Sequence, residues 1–425
     1  MLEKTIIFLF GAIALSPLST VIFVDYMKMG TNYIEIIMLP FLLYIFNAKK
    51  IKLKDSDLII ITFIILGLLF YSLLINKYSI TSLVSTARAY YWLLFFFIIF
   101  KNGMVFSKEE INLLFWGSLV AWAIVATTKG FLIKSSNARE FNGNELSYGN
   151  VIVGAYLILY YYFTNQYKKL LLLESLIVII SLFSGLRRIV IIFGIANLVI
   201  VFKIVFSRSF TEKVLLLIFV MLSVQIFNLY SRYMEENNAL LYHRVVSKTY
   251  SIFGVQNELT EIDDSDTRRR SNYSRLFDDM SDYIYPRGFI SKRTSIDLDT
   301  GFYIDCPPAE FLYTFGIPFS LLILLFVYFD FMSIYRITNH FEDTYSKILL
   351  FTMVIFAINF LFLDGTNIAF VNLTPLTGMI IGMFSSLRYG QYNQTENTNQ
   401  SNNSFDNSLP NNIRDSVLLN PNSTH

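Results

Sequence analysis

From Thr5 onward the chain repeats one pattern, in which a long apolar run is followed by a short polar interruption and then by another apolar run. About twelve of these runs reach or approach the ~20 residues needed to cross a bilayer core. They cover 5–24, 31–47, 58–75, 84–100, 111–128, 148–165, 170–184, 189–206, 214–230, 307–333, 347–363 and 367–386. The pattern predicts an all-α polytopic membrane protein of about twelve transmembrane helices. The first run follows only Glu3 and Lys4 and has no small-x-small cleavage site, so it reads as a retained span rather than a signal peptide. Residues 1–230 then hold helices one to nine, 231–306 form one large loop, 307–386 hold helices ten to twelve, and 387–425 form a tail rich in Asn, Ser and Thr. Such a tail cannot build a core and reads as disordered.

Orientation follows from Lys and Arg in the short loops, because cytoplasmic loops retain positive charge. "NAKKIKLKD", Lys101 and Lys108, Lys168 and Lys169, Arg208 and Lys213, and Arg336 all fall after even-numbered runs. That side is the expected cytoplasm and holds both termini. The large loop between spans nine and ten then lies outside.

Composition agrees with this picture and narrows the chemistry. Hydrophobic residues make up 54% and charged residues only 16%, against about 25% charged in soluble domains. The lone cysteine, Cys306, excludes an internal disulfide and a multi-cysteine metal site, and the three separated histidines argue against a histidine-built centre. No cofactor and no metal are expected, and nothing in the charge pattern points to nucleic acid. Membrane lipids are the expected surroundings. No repeat of 20 to 50 residues is apparent, which weighs against a carrier built from inverted repeats.

Against the positive-inside trend, "SGLRR" places Arg187 and Arg188 at an external hinge between spans seven and eight. A guanidinium forks two hydrogen bonds to a phosphate or carboxylate, and such bonds strengthen beside a low-dielectric core. The pair either grips a diphosphate at the outer boundary or snorkels and anchors a short turn. The loop after span five adds Arg139 together with Asn144 and Glu145 of "NGNELS"; these are binding candidates or members of a solvated turn and cap. In the large loop, "RRRSNYSRLFDDMSDYIYP" spaces Leu276, Met280, Tyr283 and Ile284 as a short helix, with Arg270 and Arg275 in or beside it. "YPRGF", with Arg287, ends it in a turn. Asp305 precedes the Pro307-Pro308 pair, and Glu310 falls in the next helix's first turn; there both carboxylates also suit the helix dipole.

Together, "NGNELSYG" opening a span, "SGLRR" at an external hinge, the Arg-bearing loop with "YPRGF", and "DCPPAEFLYTFGIP" leading into the next span resemble the O-antigen ligase and polymerase superfamily. The resemblance covers roughly residues 5 to 386. It implies a metal-independent, inverting glycosyl transfer on the periplasmic face of the bacterial inner membrane, with an undecaprenyl diphosphate-linked oligosaccharide as donor. Ligases in the superfamily commonly carry a histidine eleven residues before the Gly of the G-I-P step. Asp305 holds that position here, which favours the Wzy-type polymerase branch.

On that resemblance, Arg187 and Arg188, helped by Arg139 or Arg270, bind the donor diphosphate. Asp305 or Glu310, with Glu145 third, deprotonates the acceptor. Asn144, Arg275 and Arg287 complete the expected substrate-binding set, and a chain-length regulator and a flippase are the implied protein partners. The alternatives are a ligase that moves polymer onto lipid A-core and a polysaccharide-lipid flippase. A transport path places ionisable groups at mid-membrane depth. Glu35, Glu174, Lys203 and Asp330 are the candidates, with Glu174 and Lys203 read as interfacial.

Overall fold

The computed structural model describes residues 2–28, 35–49, 55–75, 80–101, 106–132, 148–184, 187–206, 210–237, 242, 281, 284–289, 307–340, 344–362 and 375–387. Among them the chain is helical and has no strand. The helices are α1 (Leu2–Ile13), α2 (Glu35–Lys49), α3 (Asp55–Ile75), α4 (Ile80–Lys101), α5 (Lys108–Leu132) and α6 (Tyr148–Phe163). They continue as α7 (Tyr167–Ser184), α8 (Arg187–Val205), α9 (Phe210–Asn237), α10 (Pro307–His340), α11 (Thr344–Phe362) and α12 (Pro375–Leu387). Among the described residues, Leu58–Ile75, Lys108–Thr128 and Thr314–Arg336 are each long and apolar enough to cross a membrane. Shorter apolar helices occupy the places of several other expected spans.

Local sequence explains where these helices start and stop. Ser107 and Glu110 form a reciprocal capping box at the head of α5: the Ser107 N–H donates to Glu110 Oε2 at 2.7 Å, and the Glu110 N–H donates to Ser107 Oγ at 3.3 Å. α6 ends in a left-handed Asn165 (φ 58°). The Asn165 N–H bonds the Tyr162 carbonyl at 3.1 Å and the Gln166 N–H bonds the Tyr161 carbonyl at 2.8 Å. This paired return to the last turn is a Schellman ending, and it lets α7 begin at Tyr167 without a long connection.

The first expected span, 5–24, is not one continuous helix. α1 stops at Ile13, and the backbone resumes as a short helical turn, Leu18–Thr20, followed by a π-helical segment, Val21–Tyr26. Pro17 has no N–H to give the ladder, and Ser16 turns its hydroxyl back onto the Ala12 carbonyl. The Leu15 carbonyl left over by this break is buried. It accepts from Ser118 Oγ of α5 at 2.6 Å and from Asn150 Nδ2 of α6 at 3.4 Å, and Asn150 also bonds Ser118. A broken helix at membrane depth survives where neighbours re-satisfy the freed backbone groups, as these two side chains do.

α6 is the axis of the bundle. Every residue from Val151 to Tyr162 is buried, and α5, α7, α8 and α11 all pack on it. The most extensive pairing is α1 on α5, made close by glycines: a Cβ at Gly11 would lie 2.1 Å from the Leu114 carbonyl oxygen, and one at Gly117 would lie 2.2 Å from that of Phe8. α12 seats on α4 in the same way, with Gly378 against Leu93 and Gly382 against Phe97. Small residues that let backbones approach are the usual means of helix association in lipid. On the periphery, α3 and α10 turn Phe63, Phe70, Leu74, Leu322, Leu325 and Phe329 outward, the apolar exposure that a hydrocarbon surround accepts.

Candidate functional site

Helix directions fix which ends meet. Phe106, just before α5, stacks on Phe100 at the end of α4 (5.8 Å), and Lys108 at the head of α5 lies 4.2 Å from the Tyr345 ring at the head of α11. Phe163 at the end of α6 stacks on Phe351, and Lys203 near the end of α8 lies 4.6 Å from the Phe163 ring. One end of the bundle therefore collects the C-terminal ends of α4, α6 and α8. Their N-terminal ends, including the start of α8 at Arg187, face the opposite end.

That opposite end holds the one stretch of the large loop described at length, Ile284–Phe289. Tyr71, in the last turns of α3, donates its hydroxyl to the Pro286 carbonyl at 2.6 Å. Its neighbour Ser72 accepts the Phe289 N–H on its hydroxyl oxygen at 2.7 Å. The Gly288 N–H donates to the Thr314 carbonyl of α10 at 3.2 Å. Phe289 is fully buried in an apolar cluster with Ile61 and Ile65 of α3 and Leu83, Ala87 and Tyr90 of α4, with Phe315 of α10 packed against it. Its ring lies 5.1 Å from that of Tyr90. "YPRGF" thus runs as a non-helical segment seated across three helices.

Two glycines make this seat possible. Gly288 has φ +78°, and a Cβ there would fall 2.2 Å from Ser72 Oγ. Gly316 has φ +70° inside α10, and a Cβ there would meet the backbone of Pro286, Tyr285 and Ile284 at 2.7 to 3.0 Å. Both need the left-handed region and close backbone approach, which only glycine supplies without strain.

Of the expected site residues, Arg287 is the one this seat brings into view. It lies half-buried between two pinned neighbours. Arg187 and Arg188 are the first two residues of α8, and Glu310 lies in the first turn of α10; their backbones are helical and their side chains lie outside the described set. Arg139, Asn144, Glu145, Arg270, Arg275 and Asp305 lie outside the described residues, as do most of the short helix expected around Leu276 and most of the 231–306 loop. The geometry therefore brings Arg287 to the end of the bundle where α8 starts.

A second cluster gathers around Glu35, whose partners the sequence reading did not mark. Arg88 of α4 forks onto Glu35 at the head of α2, with Nε to Oε1 at 2.8 Å and Nη2 to Oε2 at 2.5 Å. Trp92 Nε1, one turn further along α4, donates to the same Oε1 at 3.0 Å. Each charge sits one helical turn inside the start of its expected span, on the same side. Opposite charges at matching depth are the signal that pairs them. Arg88 and Trp92 occupy one face of α4, and Ala87 and Tyr90, which hold Phe289, belong to another.

The remaining ionisable residues separate in the same way. Asp330 accepts from Ser385 of α12 at 2.9 Å, and Lys203 lies over the Tyr162 and Phe163 rings. Glu174 is half-buried, and its Oε1 is enclosed without a hydrogen-bond partner. Among the described residues no group of His, Cys, Asp and Glu is arranged to hold a metal ion. Compared with family models, with curated proteins and with solved structures, the chain matches none of them.

Proposed function

We propose that this chain is a metal-independent glycosyltransferase of the O-antigen polymerase type. It would join undecaprenyl diphosphate-linked repeat units on the periplasmic face of the bacterial inner membrane. The proposal includes twelve spans, a periplasmic 231–306 loop and both termini in the cytoplasm. The observation that carries it is the ordered set of motifs, "NGNELSYG", "SGLRR", "YPRGF" and "DCPPAEFLYTFGIP", all assigned to one side by loop charge. The seating of "YPRGF" at the end where α8 begins is compatible with a shared site.

In the reaction, the acceptor hydroxyl oxygen attacks the anomeric carbon of the donor while the bond from that carbon to the diphosphate oxygen breaks. The leaving diphosphate takes the electron pair. Arg187 and Arg188, with Arg139 or Arg270 and with Arg287 nearby, would stabilise the charge that develops on it. Losing one well-placed donor of this kind typically costs about 2.7 to 4 kcal/mol of transition-state stabilisation. Asp305 or Glu310, with Glu145 third, would take the acceptor's proton.

Purified protein in lipid should extend a synthetic diphosphate-linked repeat unit without added metal or nucleotide. Arg188→Ala, at unchanged membrane abundance, should abolish the long-chain ladder; an unchanged ladder would eliminate the diphosphate role. In a disruption strain, single repeat units capping lipid A support the polymerase. Polymer uncoupled from lipid A would identify a ligase instead, and loss of all surface sugar would identify transport.

A further inference from the structure

We infer that Tyr71, Ser72 and the Gly316–Ile317–Pro318 break in α10 form a receptor for the external loop, and that this receptor sets the position of Arg287. In this role they are positioning residues for the reaction, an inference that rests on the transferase reading above.

The argument begins with α10. An unbroken helix would bond the Thr314 carbonyl to the N–H four residues on, but that residue is Pro318, which has none. Gly316, with φ 70° and ψ 164°, turns the backbone at the same place. The carbonyl left over accepts instead from the loop, through the Gly288 N–H at 3.2 Å. The break in α10 thus carries a vacant acceptor that the loop's main chain fills, and Gly316 clears the space the loop backbone occupies.

α3 supplies the complementary half. The Ser72 hydroxyl donates to the Leu68 carbonyl of its own helix at 2.5 Å, which leaves its oxygen lone pairs aimed outward to accept the Phe289 N–H. Tyr71 donates to the Pro286 carbonyl. Three backbone groups of "PRGF", the Pro286 carbonyl and the Gly288 and Phe289 N–H groups, are therefore each met by a helix. The Arg287 side chain lies between these fixed points, so its origin cannot shift unless the clamp opens. A segment held only by the burial of Phe289 would lack this directional matching of donors and acceptors.

Two measurements separate the contact from its role. In a Cys306→Ala background, Ser72→Cys with Gly288→Cys should form a disulfide in native membranes on mild oxidation, because the built Cβ at 288 lies 3.0 Å from the Ser72 Cβ and a small backbone shift brings the pair into the disulfide range of about 3.5 to 4.5 Å. Since cysteine is strained at φ +78°, a benzophenone photo-crosslinker at position 71 serves as a second probe and should label peptide 284–289. Failure of both probes overturns the clamp while leaving the transferase reading intact. In the reconstituted extension assay, Tyr71→Phe and Ser72→Ala should each lower turnover roughly five- to tenfold, the loss expected for one hydrogen bond. Added to Arg287→Ala, neither should lower it further. Multiplicative losses would show that the clamp does not act through Arg287 and would refute the positioning role. Crosslinking in the probe variants together with a wild-type protein that extends no acceptor would sink the transferase reading and leave only the contact.

Discussion

Glu35→Ala is the perturbation whose cost follows most directly from the structure. The Glu35 carboxylate accepts three hydrogen bonds, two from the Arg88 fork and one from Trp92 Nε1. The paired side chains are 22% and 26% exposed. A fully exposed pair is worth roughly 0.2 to 1 kcal/mol, and breaking a fully buried one by removing a single partner costs about 3 to 5 kcal/mol. With about a quarter of each side chain still reachable, Glu35→Ala should cost about 2 kcal/mol, or roughly thirtyfold in the folded-to-unfolded ratio. Glu35→Gln should cost less, because its amide oxygen still accepts from Arg88 and Trp92. The reciprocal exchange, Glu35→Arg with Arg88→Glu, should recover much of the loss. The assay is an equilibrium SDS titration of the purified protein in mixed micelles, read by tryptophan fluorescence and repeated on each variant. A Glu35→Ala midpoint equal to wild type would refute the reasoning, since the fork would then contribute no more than solvent does. An exchange variant as unstable as the sum of its single variants would refute the pairing.

Gly378→Val drives a side chain toward the Leu93 carbonyl, 2.3 Å from the built Cβ, and should cost about 1 to 3 kcal/mol through overpacking. Gly67 has nothing within 4 Å of a built Cβ, so Gly67→Ala should instead raise the SDS midpoint by up to ~1 kcal/mol through helix propensity. Ser118→Ala strips the Leu15 carbonyl of its 2.6 Å donor and should cost about 1 to 3 kcal/mol, visible as a lowered midpoint with intact helix content by circular dichroism. With Cys306 replaced, Tyr285→Cys should label with an impermeant maleimide in intact spheroplasts and Lys108→Cys only after permeabilisation; labelling of both from one side would overturn the assignment of bundle ends.

The helix positions were legible because long apolar runs leave few other ways to satisfy a backbone in lipid. The expected 58–75 and 148–165 correspond to Asp55–Ile75 and Tyr148–Phe163. The break after Ile13 was hidden because Ala14, Leu15 and Leu18 keep the run apolar through Ser16 and Pro17, and hydropathy registers side chains rather than hydrogen-bond ladders. Glu35 stood out as an intramembrane charge, but its partner lies 53 residues away and is a property of packing. Among the site candidates, "YPRGF" was read as a Pro and Gly turn of the loop, and Ile284–Phe289 is non-helical with a bend at 284–285 and Gly288 at φ 78°. Its three anchors were not legible, because Tyr71, Ser72 and Thr314 look like ordinary residues of apolar helices until the loop is laid across them.

The two helix breaks solve one physical problem in different ways, and the difference bears on function. At Leu15 the surplus carbonyl is met by Ser118 and Asn150, side chains fixed on helices that are themselves deeply buried. That break closes within the bundle and needs nothing from outside. At Thr314 the surplus carbonyl is met by the main chain of a loop that belongs to no helix. Lifting the loop away would leave the Thr314 and Pro286 carbonyls and the Phe289 N–H unpaired at once, at roughly 1 to 3 kcal/mol for each group that water cannot reach. It would also expose the Phe289 ring. The second break therefore ties Ile284–Phe289 to the helices with a directional contact. Under the proposed transferase reading, a site assembled partly from that loop and partly from the start of α8 would be held in register only while this contact is closed.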